Sequence, residues 1–331
     1  MITSSRVINP ARAVRLAVIA LAGVAIMLTT ACGYQPTPLP EPVPSAAPST
    51  GAPTQAPECT NPLASYQPEG SQPQPGAMPA GSTMSKIAQR GRVIAGVSAD
   101  TYLLGSRNPL TGKIEGFDID LVKAVAKAIL GDENAYTLRV ITAADRIPLL
   151  KEGKIDIVVR NMTINCERWQ QIAFSTVYYQ AGQKIMVRKG SDATSLADLD
   201  GQKVCAPNGT SSMQNLIAKA PKAIPVGADN HTGCLVLFQR GDVDAITGDD
   251  TVLAGLADQD PYAEVPKQKA FTAEPYGIGV KSDQRDLVRF INGTLDQLRA
   301  NGEWTKIYNR WLAGPLGPAP QPPKASYGRT S

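Results

Sequence analysis

Twice in this chain a glycine turn launches a short apolar strand that ends in polar residues. The first copy runs Gly153-Lys154-Ile155-Asp156-Ile157-Val158-Val159, then Arg160-Asn161-Met162-Thr163-Ile164-Asn165-Cys166-Glu167-Arg168. The second runs Gly241-Asp242-Val243-Asp244-Ala245-Ile246-Thr247-Gly248-Asp249-Asp250. Apolar runs of this length fit strands buried in a helix-covered sheet. In such sheets ligands bind beyond the carboxyl ends of the strands, and there this chain places a hydroxyl, an amide, an arginine and acids. Arg168 presents a planar fork that matches a carboxylate. From spacing alone, a surface pair with Glu167 is the other reading of that arginine.

The rest of the pattern is that of an α/β protein. Val93–Val97 and Tyr136–Thr142 read as strands, and Lys203–Ala206 as another. Phe117, Leu121, Val125 and Ile129 recur every fourth place, which predicts an amphipathic helix with its acids at the start. Arg146 opens a short helix after the second strand, and Asn208-Gly209-Thr210-Ser211-Ser212 leads into a helix to Lys219. Read locally, Arg146 pairs with Asp145 or solvent, and Gly-Thr-Ser-Ser is an N-cap. His231–Gly241 and Asp283–Leu312 are helical, the latter with Leu287, Phe290, Ile291, Leu295, Leu298, Trp304, Ile307 and Trp311 at core spacing. Strands alternating with helices imply parallel sheets.

Gly153–Ser175 resembles the signature of the family 3 solute-binding proteins of ABC importers, which take polar amino acids. Supporting matches extend over most of Gly91–Gly314, including GFDIDLVKAVA from Gly116 and the block ending at Asp249. The resemblance implies a periplasmic-binding-protein-like α/β fold of two parallel-sheet lobes, 86–178 plus 276–314 and 182–272. A two-strand hinge joins them, and the ligand lies in the interlobe cleft. It implies that Thr163 and Arg168 hold the ligand α-carboxylate, with Gly209 and Thr210 gripping it from the second lobe. Asn161 falls where backbone contacts to the amino group are made, Asp249 on the ammonium, and Arg146 on a side-chain carboxylate. Tyr276 borders the pocket, and Tyr102, in the loop Ser98–Gly105, is a further candidate.

Two cations and one anion balance a dicarboxylic amino acid in a water-poor cleft. Glutamate or aspartate is therefore the expected ligand, with glutamine or asparagine as the alternative. The implied partner is an ABC permease, or a membrane receptor if the same module acts as a sensor. A monomer without a cofactor is expected. Enzyme readings find little support: His231 lies at a helix start without a Gly-x-Ser-x-Gly elbow, and there is no Walker A or dinucleotide fingerprint. With no CxxC pair and one histidine, a metal site is not expected.

Residues 1–31 read as an export signal. Arg6, Arg12 and Arg15 precede Leu16–Leu28, an apolar run too short to span a bilayer, and small residues lead to Cys32. Cys32 resembles a lipidation site that anchors the protein to the cell membrane from outside the cytoplasm. Removing three arginines takes the formal charge from +4 to +1. That balance, with 5% aromatics, argues against a nucleic-acid partner. Residues 32–80 are Pro-rich, with 13 prolines between 33 and 80, and are expected to form a disordered tether. The tail 315–331 is expected to be flexible. Four cysteines remain, and an even number in an oxidising compartment favours disulfides. Three pairings are possible; Cys205 and Cys234 share the middle segment, so they are paired, leaving Cys59 with Cys166.

Overall fold

The computed structural model describes residues 59–330. The export signal, Cys32 and the tether as far as residue 58 lie outside the described residues. Two sheets carry the fold, one per lobe. In the first, Val93–Val97 runs parallel to Tyr136–Val140 on one side and Ile157–Val158 on the other. Gly279–Lys281 then enters antiparallel, between Ile157–Val158 and Ile172–Phe174. In the second sheet Lys203–Pro207 lies parallel between Ile224–Ala228 and Ala245–Asp249, and Tyr179–Arg188 follows antiparallel.

The apolar runs become central strands because both sheet faces are covered. In the second lobe Ile185, Val204 and Ala206 face one core with Leu216. Their neighbours Met186, Cys205 and Ile246 face the opposite core with Cys234 and Phe238. In the first lobe Phe117, Leu121, Val125 and Ile129 are buried along the helix Phe117–Leu130, which ends at Gly131 in the left-handed conformation. Trp304 and Tyr179 meet the Phe117 ring edge to face. Burying a side chain of that size contributes roughly 2–3 kcal/mol.

Two strands pass between the lobes. Tyr179–Arg188 and Thr272–Tyr276 pair antiparallel, from Thr272 opposite Gln183 to Tyr276 opposite Tyr179. The polypeptide changes sheet once after Ile172–Phe174 and once before Gly279–Lys281, so lobe rotation concentrates on these crossings.

Residues 59–80 and 315–330 depart from the disorder expected of them. Proline leaves the first segment without a helix or sheet of its own, but side chains of the first lobe satisfy its backbone. Asn292 Nδ2 donates to Tyr66 O at 2.7 Å and to Ser65 Oγ at 2.9 Å. Trp169 Nε1 donates to Pro62 O at 2.7 Å. The tail closes the same seam: Ser65 N donates to Ser326 O at 3.0 Å, and the Arg329 guanidinium lies 3.7 Å over the Trp169 ring. Composition registered the lack of a core in these stretches, not the surface ready to receive them.

Disulfides join Cys59 to Cys166 and Cys205 to Cys234. The first closes a separation of 107 residues and the second 29. On chain entropy, removing the first should cost about 5 kcal/mol and the second about 4. Urea denaturation of the two double-serine variants should therefore show the larger loss for Cys59→Ser/Cys166→Ser; the reverse order would mean that chain entropy does not govern these crosslinks.

Candidate functional site

The polar ends of the strands meet between the lobes. Arg146, Asn161, Thr163 and Arg168 from the first lobe face Thr210, Ser211, Ser212, His231 and Asp249 from the second. The turn after Ile157–Val158 is stitched to the returning hinge strand: Ile164 N donates to Pro275 O at 2.7 Å and Gly277 N to Met162 O at 3.0 Å. Asn161 takes a left-handed φ of 36°, which asparagine tolerates better than most residues. Its N–H donates to Asp118 Oδ2 at 2.9 Å, while Tyr178 OH donates to Asp118 Oδ1 at 2.9 Å. Asp118, read from sequence only as a helix-start charge, is thus a buried brace beneath the turn. Burial pushes its carboxyl up to about 6, against the opposing pull of the Asn161 and Tyr178 bonds and of Arg160.

Arg168 sits on the one-turn helix Cys166–Trp169, next to the Cys59–Cys166 bridge. Asn165 Oδ1 caps that turn by accepting from Arg168 N at 2.9 Å. The Arg168 guanidinium is buried and donates to Thr163 O at 2.6 Å. Burial lowers its proton affinity, and Glu274, Glu167 and Asp249 counter that.

Arg146 has a different environment from the expected one. Its Nε donates to Ala143 O at 2.8 Å, NH1 to Arg160 O at 3.3 Å and NH2 to Gly209 O at 3.2 Å. All three nitrogens are engaged with backbone carbonyls, the last across the cleft. Burial, then Arg168 and Arg160, push its proton affinity well down, with Asp249 pulling the other way. Gly209 is needed at that crossing: its φ is +69°, and an added Cβ would lie 3.0 Å from Ala144 Cα.

Thr210 lines the cleft, but its hydroxyl is committed as the N-cap of Ser211–Lys219. It accepts from Met213 N at 3.2 Å and donates to Pro207 O at 2.7 Å. Ser211 takes the interlobe role instead, with its Oγ 3.1 Å from Thr163 Oγ1. Both hydroxyls reach Glu274 Oε2 at 2.7 Å, while Asn215 Nδ2 and Thr272 Oγ1 reach Glu274 Oε1 at 3.0 and 2.7 Å. Sequence reasoning missed Glu274; the available signal was an acid inside the strand Thr272–Tyr276.

Asp249 ends its strand inside the cleft and is buried. Tyr276 stands behind it, donating its hydroxyl to Asp249 Oδ2 at 2.6 Å. Tyr102 is not brought to the cleft lining: the residue is 41% exposed, and its carbonyl lies against the helix Asp250–Gln259 at Gly255. Of the residues lining the cleft, Asn161, Asp249 and His231 have buried atoms without a hydrogen-bond partner among the described residues, at Oδ1, Oδ1 and Nε2. His231, considered from sequence only as a metal ligand or triad base, is a third residue of this group.

The sequence profile of the bacterial extracellular solute-binding proteins, family 3, matches residues 93–314. Over 251 residues the chain is 39% identical to the ABC transporter glutamine-binding protein GlnH of Bacillus subtilis, covering 76% of this chain and 92% of that one. It is 29% identical over 256 residues to the glutamate/aspartate import solute-binding protein of Salmonella typhimurium, covering 73% and 83%. A solved structure of an ancestral arginine-binding protein bound to glutamine superposes with a TM-score of 0.63 at 35% identity, over 67% of this chain and 98% of that one. The chain belongs to the bacterial extracellular solute-binding proteins, family 3, and is a binding protein rather than an enzyme.

Burial, followed by the nearby Glu274, pushes the Asp249 carboxyl from 3.8 up to about 8; Asp250 adds to this, while Tyr276 and Arg146 oppose it. The folded chain therefore holds a proton that the unfolded chain releases above 3.8, so this site's contribution to stability declines as pH rises toward 8. In scanning calorimetry of ligand-free protein, the melting temperature relative to Asp249→Asn should fall between pH 5 and 8. A constant difference across that window would contradict the raised value.

Proposed function

We propose that this protein captures an α-amino acid carrying a side-chain amide, glutamine above all, and delivers it to an ABC permease while lipidated Cys32 holds it at the membrane. In this reading Arg168 and the Ser211–Ser212 end of the helix take the α-carboxylate. Asp249 Oδ1 and Asn161 Oδ1, both without partners of their own, take the ammonium. Arg168 then answers the carboxylate, and Asp249, protonated in the ligand-free cleft, ionises to answer the ammonium.

The observation that carries the choice of amide over acid is the state of Arg146. Three of the five N–H groups of Arg146 already serve backbone carbonyls, so a second ligand carboxylate would find at most one N–H left on each terminal nitrogen. A carboxylate in a closed cleft needs all its lone pairs answered or costs several kcal/mol, whereas a neutral amide needs only hydrogen bonds. This revises the glutamate or aspartate that the two arginines suggested from sequence alone. The name of the Bacillus subtilis relative points the same way.

Titration calorimetry on the purified protein should give at least tenfold tighter binding of glutamine than of glutamate. Arg168→Ala should abolish binding of both. Tighter binding of glutamate would overturn the amide reading, and retained binding in Arg168→Ala would remove that residue from the carboxylate.

A further inference from the structure

We propose that His231 is the residue that tells a side-chain amide from a side-chain carboxylate, by accepting an amide N–H on its Nε2. This inference rests on the ligand being an amide-bearing amino acid, and it assigns the group that reads the amide. His231 begins the helix His231–Arg240, whose first turn is capped by Asn230 Oδ1 accepting from Gly233 N at 2.7 Å. The imidazole is 8% exposed and lines the cleft beside Arg146 and Asp249. Its Nε2 is buried without a partner, a condition that costs free energy unless a ligand relieves it.

The backbone makes room for this ring. A Cβ on Gly248, one residue before Asp249, would stand 2.5 Å from His231 Nε2. Glycine at 248 is therefore what lets the imidazole tip reach the strand end where Asp249 waits. The ring's protonation follows from its surroundings. Burial and then the positive charges of Arg160 and Arg146 hold the imidazole neutral, its affinity pushed down to about 3, while the Thr247 carbonyl favours a proton on the ring. A neutral imidazole carries one N–H and one lone pair. In the Nδ1–H tautomer the lone pair is on Nε2, the nitrogen without a hydrogen-bond partner.

A lone pair on a cleft-lining imidazole discriminates by chemistry. The amide NH2 of glutamine donates to it, whereas an ionised carboxylate offers only acceptors and sets lone pair against lone pair. A buried site built for one donor rejects an otherwise similar molecule lacking it more strongly than shape alone can.

The experiment titrates the full exported protein with glutamine and with glutamate, comparing wild type, His231→Ala and Gly248→Ala. His231→Ala should weaken glutamine at least tenfold, a loss typical of one buried hydrogen bond, and leave glutamate no weaker than in wild type. Gly248→Ala, whose methyl displaces the ring, should move the ratio the same way, and it carries the test if His231→Ala does not fold. His231 is the single histidine of the chain, so its ring nitrogens can be followed in 15N spectra without assignment. Glutamine should shift the Nε2 resonance and leave Nδ1 protonated. A wild-type protein that prefers glutamate would sink the ligand reading itself. A wild-type preference for glutamine that survives both substitutions, or an Nε2 resonance indifferent to glutamine, would leave that reading standing and overturn the role of His231.

Discussion

One buried carboxylate holds this arrangement together. Glu274 lies on a strand crossing between the lobes and accepts from Thr163 of the first lobe, from Ser211 and Asn215 of the second, and from Thr272 beside it. A carboxylate taken out of water is tolerated only when its lone pairs are answered, and here the donors come from both sides of the cleft. Opening the lobes separates those donors, so hinge geometry and cleft chemistry are joined at one side chain. The Arg146 contact to Gly209 O and the Thr163–Ser211 contact lie in the same seam.

Around that node the cleft is electrostatically lopsided. Arg146, Arg160 and Arg168 are all buried, and each is pushed toward the neutral form chiefly by burial. Asp118 and Asp249 are pushed toward theirs for the same reason. The protein resolves part of this internally: Arg146 places three of its five N–H groups on carbonyls, and Asp118 braces a backbone turn. What it does not resolve are the Arg160 Nε donor and, on the residues lining the cleft, atoms of Asn161, His231 and Asp249. A ligand rich in N–H groups answers those cleft-lining atoms.

The sequence made legible what depends on short-range pattern. The strand and turn from Gly153 to Arg168, the strand ending at Asp249 and the stripe from Phe117 to Ile129 all carry their own periodicity. The likeness to a known family supplied the two-lobe fold around them. What was not legible depends on residues far apart in the chain. Glu274 and Thr163 are 111 positions apart, and nothing near either announces the contact. His231 gains meaning only beside Gly248, whose missing side chain gives the ring its space. Arg146 looked like a free cation because its carbonyl partners are backbone, which no side-chain pattern records. Composition likewise gave the Pro-rich segment after Cys59 no hint that Asn292 and Trp169 would receive it.

The seam between Ser65 and Tyr327 gathers both ends of the described chain onto the first lobe. A pull applied through residue 59 therefore enters that lobe alone, through the Cys59–Cys166 bond and the contacts behind it. The second lobe is joined covalently to it only through the crossing strands. Mooring and swinging are thus assigned to different bodies, so the protein can be held fast by one end without stiffening the motion that closes it.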